Sequence, residues 1–320
     1  MLIRYASKET LEKNLPGFDT FVLQMADEPA LLMGVACARK ALVFSDASLD
    51  YGTVRKPTIE DARTILEAYT TAKGTGCKMF IAQCEAGIGR SQGVVAAILE
   101  LEGEAEGVKE IKRMGTYNRL LYRLILEAAG KDVPADPLVS MVIRLKYPLD
   151  RFESFVACME HQRWNNIEII AVSDGPLFPE EPLETVYELD KTVVRIIETA
   201  EAKGRWGHPY RQLGIDAAKG DWIGLSNDDN YYVPGFIEQM VNAGEEHGAD
   251  LVLCETLHSY SGWGVVGIGS DLGCFLARRE LIRSVPWEGD DLKADRRYIE
   301  RLVEAARKVA TVNRPLFVHN

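Results

Sequence analysis

Gln83-Cys84-Glu85-Ala86-Gly87-Ile88-Gly89-Arg90-Ser91 stands between an apolar run, Lys78 to Ala82, and the stretch Gln92 to Glu100. The first flank reads as a buried strand and the second as a helix. A strand that passes through a glycine-containing loop into a helix is a unit of an open α/β sheet, so this part of the chain reads as α/β. Such a loop collects backbone N–H groups at the positive end of a helix, a cradle suited to a dianion. The same surroundings favour Cys84 as a nucleophilic thiolate. Arg90 adds a planar fork that grips phosphate in bidentate fashion. A buried cysteine in an ordinary strand–helix turn would need neither the two glycines nor Arg90.

The stretch resembles the signature of the cysteine-dependent, dual-specificity-type protein tyrosine phosphatases: Cys, five residues, Arg, then Ser or Thr. The resemblance covers roughly residues 1–130, and its specific part is the loop. It implies that Cys84 attacks phosphorus. Glu85, Ala86, Gly87, Ile88, Gly89 and Arg90 would hold the phosphoryl oxygens, and Ser91 would assist release of the thiol. An upstream aspartate would protonate the leaving oxygen. Asp46, closing Leu42-Val43-Phe44-Ser45-Asp46, is the first candidate and Asp50 the second. The family usually has His before the cysteine, where this chain has Gln83. The resemblance implies a phosphorylated substrate and no cofactor for this domain.

The chain has 320 residues, long enough for two domains that each bury a core. Its formal net charge of −11 and pI of about 5.1 argue against a general binder of nucleic acid or anionic membrane. No apolar stretch approaches the roughly 20 uncharged residues that span a bilayer. Met1-Leu2-Ile3-Arg4-Tyr5 lacks the plan of a signal peptide. The six cysteines, Cys37, Cys77, Cys84, Cys158, Cys254 and Cys274, show neither metal-ligand nor disulfide-framework spacing. These features predict a reduced, cytoplasmic setting.

One seam divides the chain. Thr58 caps a helix predicted to run to about Lys73, and Asn118 to Ala129 reads as another, closed by Gly130. Prolines and polar residues then break the pattern, which predicts a domain over 1–133, a linker over 134–137 and a second α/β domain over 138–320. The second domain opens with a strand over Leu138–Leu145, a helix over Arg151–Gln162 and a strand over Ile167–Ser173.

Asp174-Gly175 follows that last strand, where open α/β sheets bind ligands. A helix predicted over Arg211–Gly220 leads to the strand Trp222–Ser226 and then Asn227-Asp228-Asp229-Asn230. Hard oxygen donors at a strand end suit Mg²⁺ or Mn²⁺ shared with a diphosphate, although the same composition makes ordinary Asx turns. Taken in order, Asp174-Gly175, the helix, the Asn227–Asn230 cluster and Pro234-Gly235 resemble the family-2 inverting glycosyltransferases of GT-A fold, across roughly 138–320. The resemblance implies that Asp174 contacts the nucleobase and that Asn227-Asp228-Asp229 stands for the Asp-x-Asp element, with Asn227 replacing its first Asp. Arg211, Asn227 and Asp228 would serve the nucleotide. Asp229 would bind the metal, with Asp228 or Asn230 able to share it, and a late His, His319, would be a further ligand.

In-line displacement at an anomeric carbon needs a carboxylate to take the acceptor proton. Asp290 or Asp291, in Trp287-Glu288-Gly289-Asp290-Asp291, matches the family's acidic pair before a late helix. Acids there also complement a helix dipole. Gly267–Cys274 reads as the glycine-rich stretch near the acceptor, and Trp263 as either a sugar-stacking or a core residue. The expected partners are a nucleotide-diphosphate sugar, a glycan or other hydroxyl acceptor, and a phosphorylated substrate, with no nucleic acid and no membrane span. Two readings stand: a bifunctional phosphatase and glycosyltransferase, or a transferase whose first domain only binds a phosphorylated partner or glycan. An RNA 5′-phosphatase is disfavoured by the acidic balance.

Overall fold

The computed structural model describes residues 1–13, 19–26, 38–43, 55, 57–85, 87, 89–114, 117–133, 135–145, 149–177, 184–189, 192–259 and 262–320. They form two compact units, Met1–Ala135 and Asp136–Asn320. Both are α/β.

The first unit runs β1 (Leu2–Ser7), α1 (Lys8–Lys13), β2 (Thr20–Ala26), β3 (Ala38–Val43), α2 (Ile59–Gly74), β4 (Met79–Cys84), α3 (Arg90–Glu102), α4 (Ala105–Met114) and α5 (Arg119–Ala128). The sheet order is β1-β4-β2-β3 and every pairing is parallel. Parallel strands need helical crossovers that cover the faces, so β4 is buried from Phe80 to Cys84. Phe80 stacks on Phe21 at 5.7 Å and meets the Tyr69 edge of α2 at 5.4 Å. Full burial of one such side chain stabilises by about 1.5–3 kcal/mol. Thr58 caps α2, and Asp61 returns a bond to the Thr58 N–H to complete a capping box. Asn118 caps α5 through the Leu121 N–H.

The second unit runs β5 (Val139–Leu145), α6 (Asp150–Glu160), β6 (Ile167–Ser173), β7 (Glu184–Glu188), β8 (Thr192–Ile197), α7 (Arg211–Ala217), β9 (Trp222–Asn227), β10 (Tyr231–Tyr232), α8 (Phe236–His247), β11 (Leu251–His258), β12 (Gly264–Val266), β13 (Phe275–Arg278), α9 (Arg279–Ser284), α10 (Ala294–Ala305) and β14 (Val309–His319). Two 3₁₀ turns, Arg205–Tyr210 and Leu272–Cys274, precede α7 and β13. The ten-stranded sheet has the order β10-β14-β11-β13-β9-β5-β6-β8-β7, with β12 on β11. Strands β9, β5, β6 and β8 are parallel, and the near-continuous burial of β5, β6 and β9 is that of a sheet covered on both faces. Asp136 and Pro137, within the stretch predicted as a linker, are tied to this unit: their carbonyls accept from Asn166 Nδ2 and Trp164 Nε1.

Helix α7 ends at Ala217, short of the predicted Gly220. Ala218 turns extended, and the Lys219 and Gly220 N–H groups donate instead to the buried Glu168 carboxylate. The side-chain acceptor draws those two donors away from the helix. Strand β14 runs from Val309 to His319. Its parallel ladder with β11 slips between the pairs Cys254–Val312 and Thr256–Phe317, around Pro315. Proline cannot donate to a ladder, so a bulge is where it fits.

Candidate functional site

In the first unit, β4 delivers Cys84 to the carboxyl end of the sheet and α3 begins six residues later at Arg90. Gly87 has φ 72°, and a Cβ there would lie 2.6 Å from the Ser7 backbone N, so the loop closes on β1 only with glycine. The Gly89 carbonyl accepts from Gly93 and Asn118 N–H groups, anchoring the loop to α3 and α5. Cys84 and Ser91 are buried, and the Cys84 thiol donates to Ser91 Oγ at 3.2 Å. Arg90 is buried at the first turn of α3, and Gln83 is buried in β4. Glu85 is exposed and lies 4.0 Å from Lys8. Asp46, Asp50, Ala86 and Ile88 lie outside the described residues.

In the second unit, the 3₁₀ turn Arg205–Tyr210, the start of α7 and the loop before α10 build a cleft of about 650 Å³ lined by Lys203, Arg205, His208, Gln212, Trp287 and Asp290, among others. Asp174, just past β6, accepts from the Lys203 N–H at 2.7 Å and the Gly204 N–H at 2.9 Å, and so fixes the loop that supplies Lys203. Arg205 adopts φ 50°, unusual for a residue with a Cβ, and its guanidinium closes on Asp290. The neighbouring Asp291 is engaged differently. Both its oxygens sit in the Arg297 fork, at 3.1 and 2.6 Å. That fork, with the Lys293 N–H, pulls the Asp291 carboxyl down to about 2. Trp287 packs between His208 and Tyr298, with the Arg211 guanidinium 5.8 Å from its ring centre. Burial pulls Arg211 down to about 10. The same guanidinium donates to Ser226 O and Asn227 Oδ1, tying the cleft to the end of β9.

Beyond β9, Asp228 is buried 3.9 Å from Arg144, while Asp229 Oδ2 accepts from Arg151 at 3.3 Å. Asp229 Oδ1 is buried with no hydrogen-bond partner among the described residues. A buried carboxylate oxygen left unpaired is costly, and a divalent cation is a fitting partner for it. His319 is the last residue of β14, its ring beside His258 and its Nδ1 against the Asp271 carboxylate. Burial lowers the His319 pKa, and the Asp271 carboxylate outweighs this to leave it raised. The Tyr232 hydroxyl bonds with Ser226 Oγ at 2.8 Å and Gly273 O at 3.2 Å, which binds the Asn227–Asn230 turn to the Asp271 loop. A Cβ on Gly273 would lie 2.3 Å from the Phe317 ring, so that approach also depends on glycine.

The family described as Glycosyl transferase family 2 matches residues 149–288. The second unit contains a family-2 glycosyltransferase domain. Over 119 residues the chain is 30% identical to the uncharacterized glycosyltransferase EpsJ of Bacillus subtilis strain 168, covering 37% of this chain and 33% of that protein. It is 29% identical over 119 residues to the glycosyltransferase GlyG of Streptococcus pneumoniae serotype 4, covering 36% and 38%. The chain thus spans about a third of the length of the curated relatives it matches. Among solved structures, S. aureus TarS 1-349 in complex with UDP-GlcNAc aligns at TM-score 0.48 and 12% identity, over 57% of this chain and 58% of that one. The matched stretch holds the cleft lining from Lys203 to Trp287 and the Asn227–Asn230 turn, and stops just short of Asp290.

Within this glycosyltransferase domain the structure brings Asp290, Lys203 and the Asp174-held loop to one cleft, and His319 to Asp271. It turns Asp291 into the Arg297 fork. Trp263 is 63% exposed, so it is not a core residue. Sequence reading missed Arg205, His208, His258 and Asp271 as site residues. Asp271 was visible only as part of a glycine-rich stretch. His258 closes an apolar strand and nothing local marks it; only its pairing with β14 does. Among the described residues no helix is long and apolar enough to cross a membrane.

Proposed function

We propose that the second unit transfers a sugar from a nucleoside diphosphate sugar to a hydroxyl acceptor with inversion. The observation that carries this reading is the Asp290 carboxylate in the cleft that is also lined by Lys203, from the loop held by Asp174. Asp174 and its loop would frame the nucleobase, and Arg211 would hold Asn227 and the end of β9 beside the ribose and diphosphate. The acceptor hydroxyl displaces Arg205 from Asp290, which takes its proton as the new glycosidic bond forms and the bond to the diphosphate breaks. The engagement of Asp291 with Arg297 supports Asp290 as the base. Asp229 and His319 would hold a divalent cation, Mn²⁺ or Mg²⁺, which when bound offsets charge on the leaving diphosphate. Titration of UDP, GDP and TDP with and without EDTA, followed by a screen for nucleotide-sugar hydrolysis, tests the reading. Metal-independent binding of equal strength would remove the role given to Asp229.

The first unit supports a second activity, and the Cys84–Ser91 hydrogen bond is the observation in its favour. In this reading the Cys84 thiolate attacks phosphorus, forming an S–P bond as the P–O bond breaks. Asp46, or Asp50, protonates the leaving oxygen. Water then cleaves the S–P bond, and Ser91 stabilises the departing thiolate. The substrate is a phosphomonoester, and the setting is the reducing cytoplasm; the five described cysteines are all free. With Gln83 in place of His, the alternative is a module that binds phosphate without turnover. Hydrolysis of p-nitrophenyl phosphate by the full chain, and its loss in Cys84→Ser, separates the two. Failure of vanadate and phosphate to bind the unsubstituted protein ends both.

A further inference from the structure

His258 and His319 are direct partners in the parallel β11–β14 ladder. Aligned residues of paired strands point to the same face of a sheet, and here the two imidazole centres lie 4.9 Å apart. Asp271 enters from a third segment. Its Oδ1 accepts from the Gly273 N–H at 3.4 Å, and its other oxygen meets His319 Nδ1. One ligand atom from each of the three lies within 4.8 Å of the others, and all three side chains are half-buried. Small side-chain rotations close that spacing to the edge of a coordination sphere, about 3.4 Å for a tetrahedron with ~2.1 Å bonds. A separate observation points to the same ion. Asp229 Oδ1 is buried without a hydrogen-bond partner among the described residues, and Tyr231, two residues on, pairs with Val318 beside His319.

We propose that His258, Asp271 and His319 form a centre for one divalent transition ion, with Asp229 as an additional oxygen donor. The inference deepens the glycosyl-transfer reading and rests on it for the ion's role at the donor. It changes the chemistry of the expected cation. Two imidazoles and carboxylate oxygens suit Mn²⁺, Co²⁺, Ni²⁺ and Zn²⁺, with affinity rising from Mn²⁺ through Co²⁺ to Ni²⁺. Mg²⁺ demands oxygen ligands and keeps its waters, so this donor set selects against it. A carboxylate-only Asp-x-Asp site would suit Mg²⁺ as well as Mn²⁺.

The test needs no substrate. Full-length protein stripped with EDTA and then freed of chelator is titrated with Co²⁺ and followed by visible absorption, with Mg²⁺ as competitor. The expected result is one bound Co²⁺ with a ligand-field band of imidazole type. A roughly 100-fold excess of Mg²⁺ should leave that band in place. His258→Ala and His319→Ala should each weaken Co²⁺ binding about tenfold or more. Should either variant fail to fold by circular dichroism, His258→Gln or His319→Gln, which keeps the bulk and loses the imidazole, replaces it. Displacement by Mg²⁺ at equal concentration, or Co²⁺ bound as tightly by the His258 variant as by the parent, would overturn the centre. UDP titration of the unsubstituted protein is read separately. Its failure would count against glycosyl transfer alone, because the Co²⁺ titration decides the centre by itself.

Discussion

The two units carry their candidate chemistry in opposite ways. In the first, Cys84 to Ser91 is one unbroken loop between the end of β4 and the start of α3. In the second, Asp174, Arg205, Asn227, His258, Asp271, Asp290 and His319 come from seven separate segments, gathered by the order of strands in the sheet. A contiguous loop keeps its geometry wherever its strand and helix form. A dispersed site exists only when the whole sheet is in register, so the first is built locally and the second globally.

Removing a reacting atom should have the largest effect. Cys84→Ser should lower phosphomonoester hydrolysis by several orders of magnitude while vanadate or phosphate still binds, measured by steady-state kinetics beside calorimetry. Turnover that survives the change would detach the chemistry from the loop. Within the dispersed site, Asp290→Asn should cut sugar transfer about 10²–10⁴-fold with donor binding nearly unchanged. Asp291→Asn should instead act through the Arg297 contact and leave kcat within about tenfold. Equal losses in the two variants would erase the distinction drawn from Arg205 and Arg297. NMR of the first-formed linkage should show an inverted anomeric centre.

A smaller effect is expected for Asp229→Ala, which should weaken metal-dependent UDP binding about tenfold, or ~1.4 kcal/mol, by calorimetry. The smallest concerns stability. Burial raises the Asp61 pKa, but the Arg55 fork and the Thr58 bonds outweigh it and leave the carboxyl below its usual value. Asp61→Asn should therefore cost about 1 kcal/mol near neutral pH, as loss of a cap does. Because the folded-state pKa lies below the unfolded one, the carboxylate's contribution is complete above about 3.9. It fades as pH falls through the folded value, so the denaturation curves of variant and parent should converge in acid.

The contrast also explains what could be read from the chain. The Cys84–Ser91 loop, the Thr58 cap and the β6–Asp174 turn were legible because each depends on residues close in sequence. The end of α7 was not, since Glu168, some fifty residues upstream, takes the N–H groups that would have extended it. Nor was the division of labour between Asp290 and Asp291. Identical neighbours differ only in which arginine, Arg205 or Arg297, the fold brings to them. Only five histidines occur in the chain, yet the partnership of His258 with His319 could not be read without the β14 register.

That register depends on the bulge around Pro315. Between the pairs Cys254–Val312 and Thr256–Phe317, β14 advances five residues while β11 advances two. Were the two strands to keep step, Leu316 would face His258 and no imidazole would. Side chains alternate with a period of two, so three extra residues would by themselves turn β14 over, and the bulge also has to restore the face. The kink thus works as a counting device: it selects which residue of the final strand is presented to its neighbour. Trimming one residue between Asn313 and Pro315, with the three extra residues of the bulge kept, would present Asn320 to His258 and dismantle the pair without altering any of its side chains.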